Sequence, residues 1–252
     1  MKKIFLIDCL PESAQRYQRG WAIVAVDVIR ATTMAITAAS VGRKCFPVGS
    51  LDAAFRLAEQ LDNPLLAGEV NGMMPVGFDI NNSPAELSLR DDVYRPLVML
   101  SSSGTKLMSN GGCCDAMYLA CFRNCASLGG LLARGAHRKI ALIGAGSRGE
   151  FREEDQIACA WVAKHLVQAG YHPGNAKTEE VLGKWQHAAP AECLISRSVD
   201  YLRRTDQLAD LHFILNRIDD LEDSFLLRNG EVVLGSRQER KWQPDLAIAE
   251  AV

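Results

Sequence analysis

The chain has 252 residues, 48% of them hydrophobic and 23% charged, with a formal net charge of -2. That composition supports a globular protein with one large core or two smaller ones, and the near-neutral balance without a basic run gives no electrostatic ground for a nucleic-acid partner. No apolar stretch approaches the roughly 20 residues needed to cross a bilayer, so no membrane association is expected.

Residues 3–8 read as a first strand and 21–27 as a second, separated by a polar segment with Pro11 and Gly20. The second strand carries the short apolar run AIVAV, the pattern of a strand buried on both faces, and it ends abruptly in Asp27, Val28, Ile29, Arg30, Ala31, Thr32 and Thr33. Small residues after Ala31 suit a closely packed helix over 32–41. Asp27 and Arg30 therefore belong where a strand gives way to a helix. In parallel α/β sheets ligands bind there, outside the carboxyl ends of the strands. A carboxylate, a guanidinium and two hydroxyls at that junction suit a metal-assisted site for an anionic substrate.

A short strand follows at 45–48, then Ser50 as an N-cap for a helix through Leu61, with Ala54, Leu57, Ala58 and Leu61 spaced by three and four. After a strand at 64–67, the Gly-, Asn- and Pro-rich stretch 68–84 reads as a long functional loop. Glu69 directly follows a strand and so shares the sheet edge of Asp27. A strand at 97–100 runs into Ser101, Ser102, Ser103, Gly104, Thr105 and Lys106. Hydroxyls and successive amides after a strand resemble a phosphate cradle, with Gly104 letting the backbone approach the anion.

Residues 115–120 and 139–143 read as strands around a helix at 127–134, and the second ends in Gly144, Ala145, Gly146, Ser147, Arg148, Gly149 and Glu150. The third Gly of a dinucleotide fingerprint is missing, which argues against a nucleotide cofactor. Strand, turn with an Arg, then a helix of small residues at 157–167 repeats the layout around Arg30. The expected architecture is α/β, three-layer α/β/α with mainly parallel sheets, in two similar halves (1–128 and 129–252) around a central cleft. Helices are expected at 177–186, at 191–203, with residues 196–198 marking the start of a helix that packs on the sheet, and at 211–215. A hairpin over 224–234 turns at Asn229-Gly230, and the tail from Gly235, with Pro244, is expected to have little order.

The eight cysteines follow no secretory leader and read as reduced thiols of a cytoplasmic protein. Cys113, Cys114, Cys121 and Cys125 cluster in sequence but form no CxxC pair, so packing is their expected role.

Taken together, DVIRATT at 27, GEVNG at 68, GFDINNSP at 77, SSSGT at 101 and GSRGEFREED at 146 resemble the 2-phosphosulfolactate phosphatase (ComB) family in order and spacing, and RIDDLEDSF at 217 resembles its later acidic segment. SSSGT departs from the family's Thr-Thr-Asn-Gly-Thr type of loop, which removes an amide at Ser103. The resemblance implies a magnesium-dependent phosphatase acting on the phosphate ester of a sulfonated hydroxy acid, a step toward coenzyme M. Members also occur in organisms that make no coenzyme M. In that reading Asp27, Glu69, Asp79 and Asp155 offer hard oxygen ligands for Mg2+, and Arg30 and Arg148 grip phosphate or sulfonate. Asp27, Arg30 and Glu150 form the expected catalytic set, while Arg30, Thr32, Ser103, Gly104, Thr105 and Arg148 form the expected substrate contacts. Ile29 stands where a haloacid-dehalogenase phosphatase needs a second Asp, and no Cys-x5-Arg loop is present. The partner is then a small anionic phosphorylated substrate, with a homodimer as an option for the assembly. Two alternatives remain: a phosphatase for a hydroxy acid without sulfur, and a non-catalytic anion-binding protein on the same fold.

Overall fold

A computed structural model describes residues 2–235; the tail from 236 onward, for which little order was expected, lies outside the described residues. One sheet carries the structure. Its ten strands are β1 (Ile4–Cys9), β2 (Ala22–Val26), β3 (Cys45–Val48), β4 (Leu65–Gly68), β5 (Leu97–Leu100), β6 (Ala116–Ala120), β7 (Lys139–Gly144), β8 (His172–Pro173), β9 (Ser224–Arg228) and β10 (Glu231–Gly235). They lie in the order β4-β5-β3-β10-β9-β6-β2-β7-β1-β8. All pairings are parallel except those made by β9 and β10. The mainly parallel three-layer reading of the sequence therefore holds.

The strands form because their apolar runs can be buried from both sides. β2 is buried at every residue between β6 and β7. Its alternate side chains feed two cores: Ala22, Val24 and Val26 point to one face, Ile23 and Ala25 to the other. On the first face lie α5 (Cys125–Arg134), α6 (Glu153–Gln168) and α7 (Ala176–Trp185). On the second lie α1 (Ala31–Ser40), α3 (Pro84–Ser88) and α4 (Gly104–Asn110), while α2 (Leu51–Ala58) packs over Val98 and Leu100. Cys121 and Cys125 are wholly within these cores, so they pack. The sequence boundary at 128/129 falls inside α5, and strands from both sides of it alternate in the one sheet.

One difference from the sequence reading matters for the site. The helix expected over 191–203 divides into a 3-10 segment (Pro190–Ile195) and α8 (Arg197–Arg204), because Ser196 is extended and its hydroxyl accepts from the Ser198 and Val199 amides, capping a new helix. Helix α8 then packs on α9 (Leu208–Leu215) rather than on the sheet. The hairpin forms as expected, with Asn229 and Gly230 both at positive φ (51° and 81°), as a tight hairpin turn requires. Among the described residues, no helix is long and apolar enough to cross a membrane.

Candidate active site

A cavity of 970 Å³ opens over the carboxyl ends of β1, β2, β4, β5 and β7 and is closed on its far side by α8. A larger hollow of 1790 Å³ lies at the other end of the sheet, beside the start of β6 and the hairpin, and brings together no buried carboxylate. The strand ends hold the chemistry.

Asp27 follows β2 and is only 7% exposed. Its carboxylate accepts from the Ala31 amide (3.1 Å) at the start of α1. Burial, reinforced by the nearby Glu69 and Glu154 carboxylates, pushes its pKa up to about 7. A side chain at Gly104 would collide with this carboxylate and with the Ala31 methyl, so Gly104 serves the close approach of α4 to Asp27. Glu69 follows β4 and is gripped by the Ser102 amide (2.7 Å), the Ser102 hydroxyl (2.9 Å) and the Gly72 amide (2.6 Å). The Ser101 hydroxyl meanwhile accepts from the Gly104 and Thr105 amides. The expected phosphate cradle is thus largely closed on itself: its donors hold Glu69 and cap α4, and Ser103 alone of the predicted contacts there faces the cavity.

The other predicted residues divide sharply. Arg30 borders the cavity, but its Nη1 is 2.5 Å from both Asp210 Oδ2 and Gln207 Oε1, so it anchors α9 to the turn after β2. Thr32 and Thr105 are fully buried beneath the floor. The Thr32 hydroxyl accepts from the Asp27 amide (2.9 Å) and donates to the Ala120 carbonyl (2.7 Å), while that of Thr105 serves the Ser101 backbone. Asp79 does not reach the cavity; its carboxylate accepts from the Leu66 amide (2.9 Å) and pairs with Arg95 (3.3 Å). Asp155 is buried, and its two oxygens accept from the Val28 amide (2.9 Å) and the Gly146 amide (3.0 Å), tying together the turns after β2 and β7. Burial and the neighbouring Asp27 and Glu154 hold its carboxyl well above the usual range.

Arg148, at positive φ (53°), projects from the turn after β7 into the cavity and makes no hydrogen bond or ion pair among the described residues. It reaches the cavity beside Arg30, from a neighbouring strand end. Glu150 is at the exposed rim, where Arg197 (2.5 Å) and then Arg152 (3.4 Å) pair with it. Its hydrogen bond to Arg197 lowers its pKa. An acid held ionised in this way suits fixing Arg197 rather than donating a proton.

Three further features shape the site. Glu154, beside the predicted Asp155, is 1% exposed with Oε2 unpartnered; the Ser196 and Ser198 hydroxyls donate to it, and burial raises its pKa. Asn82 in the loop before α3 is 3% exposed and lines the cavity with its Oδ1 unpartnered. Helix α8 adds Arg203, paired with Asp200 (2.9 Å), and Arg204, which has no carboxylate partner among the described residues. The cavity thus combines a buried carboxylate floor with two uncompensated guanidiniums, Arg148 from the turn after β7 and Arg204 from α8, a set of charges that can orient an anion carrying more than one charged group.

A family model described as 2-phosphosulpholactate phosphatase matches residues 8–221. The chain is similar to proteins named probable 2-phosphosulfolactate phosphatase from Symbiobacterium thermophilum (31% identity, 59% of this chain and 64% of that protein), Synechococcus sp. (32%, 65% and 69%) and Deinococcus radiodurans (31%, 65% and 68%). It spans just under two thirds of the length of the first of these curated relatives.

Proposed function

Because the chain belongs to the 2-phosphosulfolactate phosphatase family, we propose that it is a phosphoric monoester hydrolase, dependent on Mg2+, that converts 2-phosphosulfolactate or a close phospho-hydroxy acid to the free hydroxy acid and phosphate. The observation that carries this reading is the buried Asp27, with Glu69, on the floor of a cavity that Arg148 and Arg204 also line.

The floor suits a divalent cation. Asp27 and Glu69 present hard oxygen ligands, and the Nη1 of Arg30 is engaged by Asp210 and Gln207 rather than by either of them. Among the described residues no three His, Cys, Asp or Glu side chains form a ready-made metal group, so acidic side chains alone would not complete the coordination of the ion. Asp27 and Glu69 would hold Mg2+, which supplies charge neutralisation on the phosphoryl oxygens. Arg148 and Arg204 orient the substrate through its second anion, and Ser103 lines the same cavity. The Ser102 and Gly72 amides fix Glu69, and Gly104 fixes Asp27, so the carboxylates meet the substrate without reorganising. A cytoplasmic location and a homodimer belong to the same reading.

Phosphate release from a panel of phosphomonoesters, with MgCl2 and with EDTA, tests the proposal. We expect release that needs Mg2+ and favours substrates with a second anion, and comparison of 2-phosphosulfolactate with 2-phospholactate separates sulfonate from carboxylate recognition. Ligand-induced thermal stabilisation without release from any ester would instead make the chain an anion-binding protein.

A further inference from the structure

We infer that Asn82 is a cation ligand, its side-chain oxygen joining the Asp27 and Glu69 carboxylates as a third oxygen for a divalent metal ion. This rests on the reading of Asp27 and Glu69 as metal ligands. It adds a neutral residue from a different loop.

Asn82 is 3% exposed, lines the cavity, and has Oδ1 buried without a hydrogen-bond partner. A buried amide oxygen without a protein partner is costly, so native structures retain one where a water or an ion satisfies it. The possible neighbours on the floor do not. Asp27 and Glu69 are acceptors, the Ser101 hydroxyl already serves the Gly104 and Thr105 amides, and the Nη1 of Arg30 is taken by Asp210 and Gln207. A phosphoryl or sulfonyl oxygen cannot satisfy a carbonyl oxygen either, since both accept. A metal ion would serve the amide oxygen and the two carboxylates together, whereas a water on the amide leaves the crowded acids as they are, and the donor set is the hard-oxygen type that Mg2+ prefers.

The placement of Asn82 is built. The Ile80 carbonyl accepts from the Gly68 amide (3.1 Å), which keeps this loop beside the strand end that carries Glu69. On one side of Asn82, the Asn81 oxygen accepts from the Asn82 amide (2.7 Å) and the Asn81 side chain reaches Gln207 (3.5 Å). On the other, the Ser83 hydroxyl (2.7 Å) and the Ala85 amide (3.0 Å) donate to Asp210 Oδ1. Both neighbours are thus fastened to the residues that hold Arg30, while the Asn82 oxygen is fastened to nothing. Charge explains why an amide stands here. Asp27, Glu69 and Glu154 already crowd negative charge, and a neutral oxygen adds coordination without adding repulsion before the ion arrives.

Mn2+ binding to the metal-free full chain, followed by calorimetry and by the loss of the free-Mn2+ paramagnetic resonance signal, tests this without any turnover. Asn82→Leu should weaken Mn2+ binding about tenfold, and Asn82→Asp should match or exceed wild-type affinity. In addition, Asn82→Asp should melt lower than wild type in EDTA and recover in Mn2+, because its added charge is compensated only by the ion. If Asn82→Leu does not fold, the Asp variant decides: weakened Mn2+ binding there overturns the inference. Wild-type Mn2+ affinity in Asn82→Leu together with lost phosphate affinity in both variants also overturns it, and makes the amide a donor to substrate. The metal reading itself is checked by Asp27→Asn. Lost Mn2+ binding there, with both Asn82 variants unchanged, removes Asn82 alone; retained binding there, or none in wild type, removes the metal site and this inference with it.

Discussion

The Asp27 carboxylate occupies the space that a side chain at residue 104 would need, so Gly104 and Asp27 are mutually dependent. A glycine in a Ser-rich turn after a strand invites a phosphate-binding explanation; here its bareness brings α4 against α1 and seats the carboxylate. Gly104→Ala should therefore displace Asp27. We expect phosphate release to fall at least tenfold and overpacking to cost about 1–3 kcal/mol, roughly 4–8 °C in melting temperature at the middle of that range. An unchanged rate would mean that Asp27 moves aside without consequence for catalysis.

Asp27→Asn should separate stability from activity. The Asp27 pKa rises from an ordinary 3.8 to about 7 in the folded protein, so the folded state holds more protons than the unfolded one between these values and stability falls as pH rises through them. The penalty is absent below about pH 4 and complete above about pH 7, with an upper bound of about 4 kcal/mol that relaxation of the neighbouring acids reduces. In EDTA at about pH 8 the Asn variant should melt above wild type, with the two curves converging toward about pH 4, while phosphate release is abolished. Equal melting temperatures across this range would remove the charge strain assigned to Asp27.

The Arg30–Asp210 pair is almost wholly buried, at 4% and 3% side-chain exposure. Arg30→Met leaves Asp210 uncompensated and should cost about 3–5 kcal/mol in urea unfolding, whereas Arg30→Met with Asp210→Leu should recover much of the loss. A double variant no more stable than Arg30→Met would mean that the other partners of Asp210, the Ser83 hydroxyl and the Ala85 amide, carry the effect.

Arg148 and Arg204 should act on substrate affinity. Replacing either by Lys keeps the charge but loses the planar fork, worth about 1.5–3 kcal/mol where the contact is charge-assisted and bidentate. We expect KM for 2-phosphosulfolactate to rise about ten- to a hundredfold with kcat nearly retained, and KM for an ester without a second anion to stay constant. If both substrates suffer alike, these arginines hold the phosphoryl group instead.

Much of the fold could be read locally. Buried runs such as AIVAV announce strands, and residues directly after them, Asp27 and Glu69, or in the turn that follows, Arg148, arrive at the cavity because of where a parallel sheet ends. What sequence spacing cannot show is which distant group claims a side chain. Arg30 looks free until α9 delivers Asp210, 180 residues later in the chain. Asp79 looks like a metal ligand until the loop bridge at Ile80 turns its carboxylate to the Leu66 amide. Glu154 and Asp155 differ by one helical step, enough to send one to the serines of α8 and the other to two strand-end amides. The start of α8 was legible at 196–198, where Ser196 caps it, but not that the helix would bring Arg203 and Arg204 to the cavity.

The position of the hairpin bears on how the chain reaches this state. Strands β3 and β6 are made early yet never pair with each other; β10 and β9, residues 224–235, lie between them. Until a growing chain has delivered those residues, each parallel block keeps an open edge of unpaired amides and carbonyls, the template on which chains aggregate. Joining them requires contacts of long sequence separation, which slows folding and lengthens that exposure. A chain cut before Ser224 should therefore accumulate as insoluble material even though every cavity residue named above is still present.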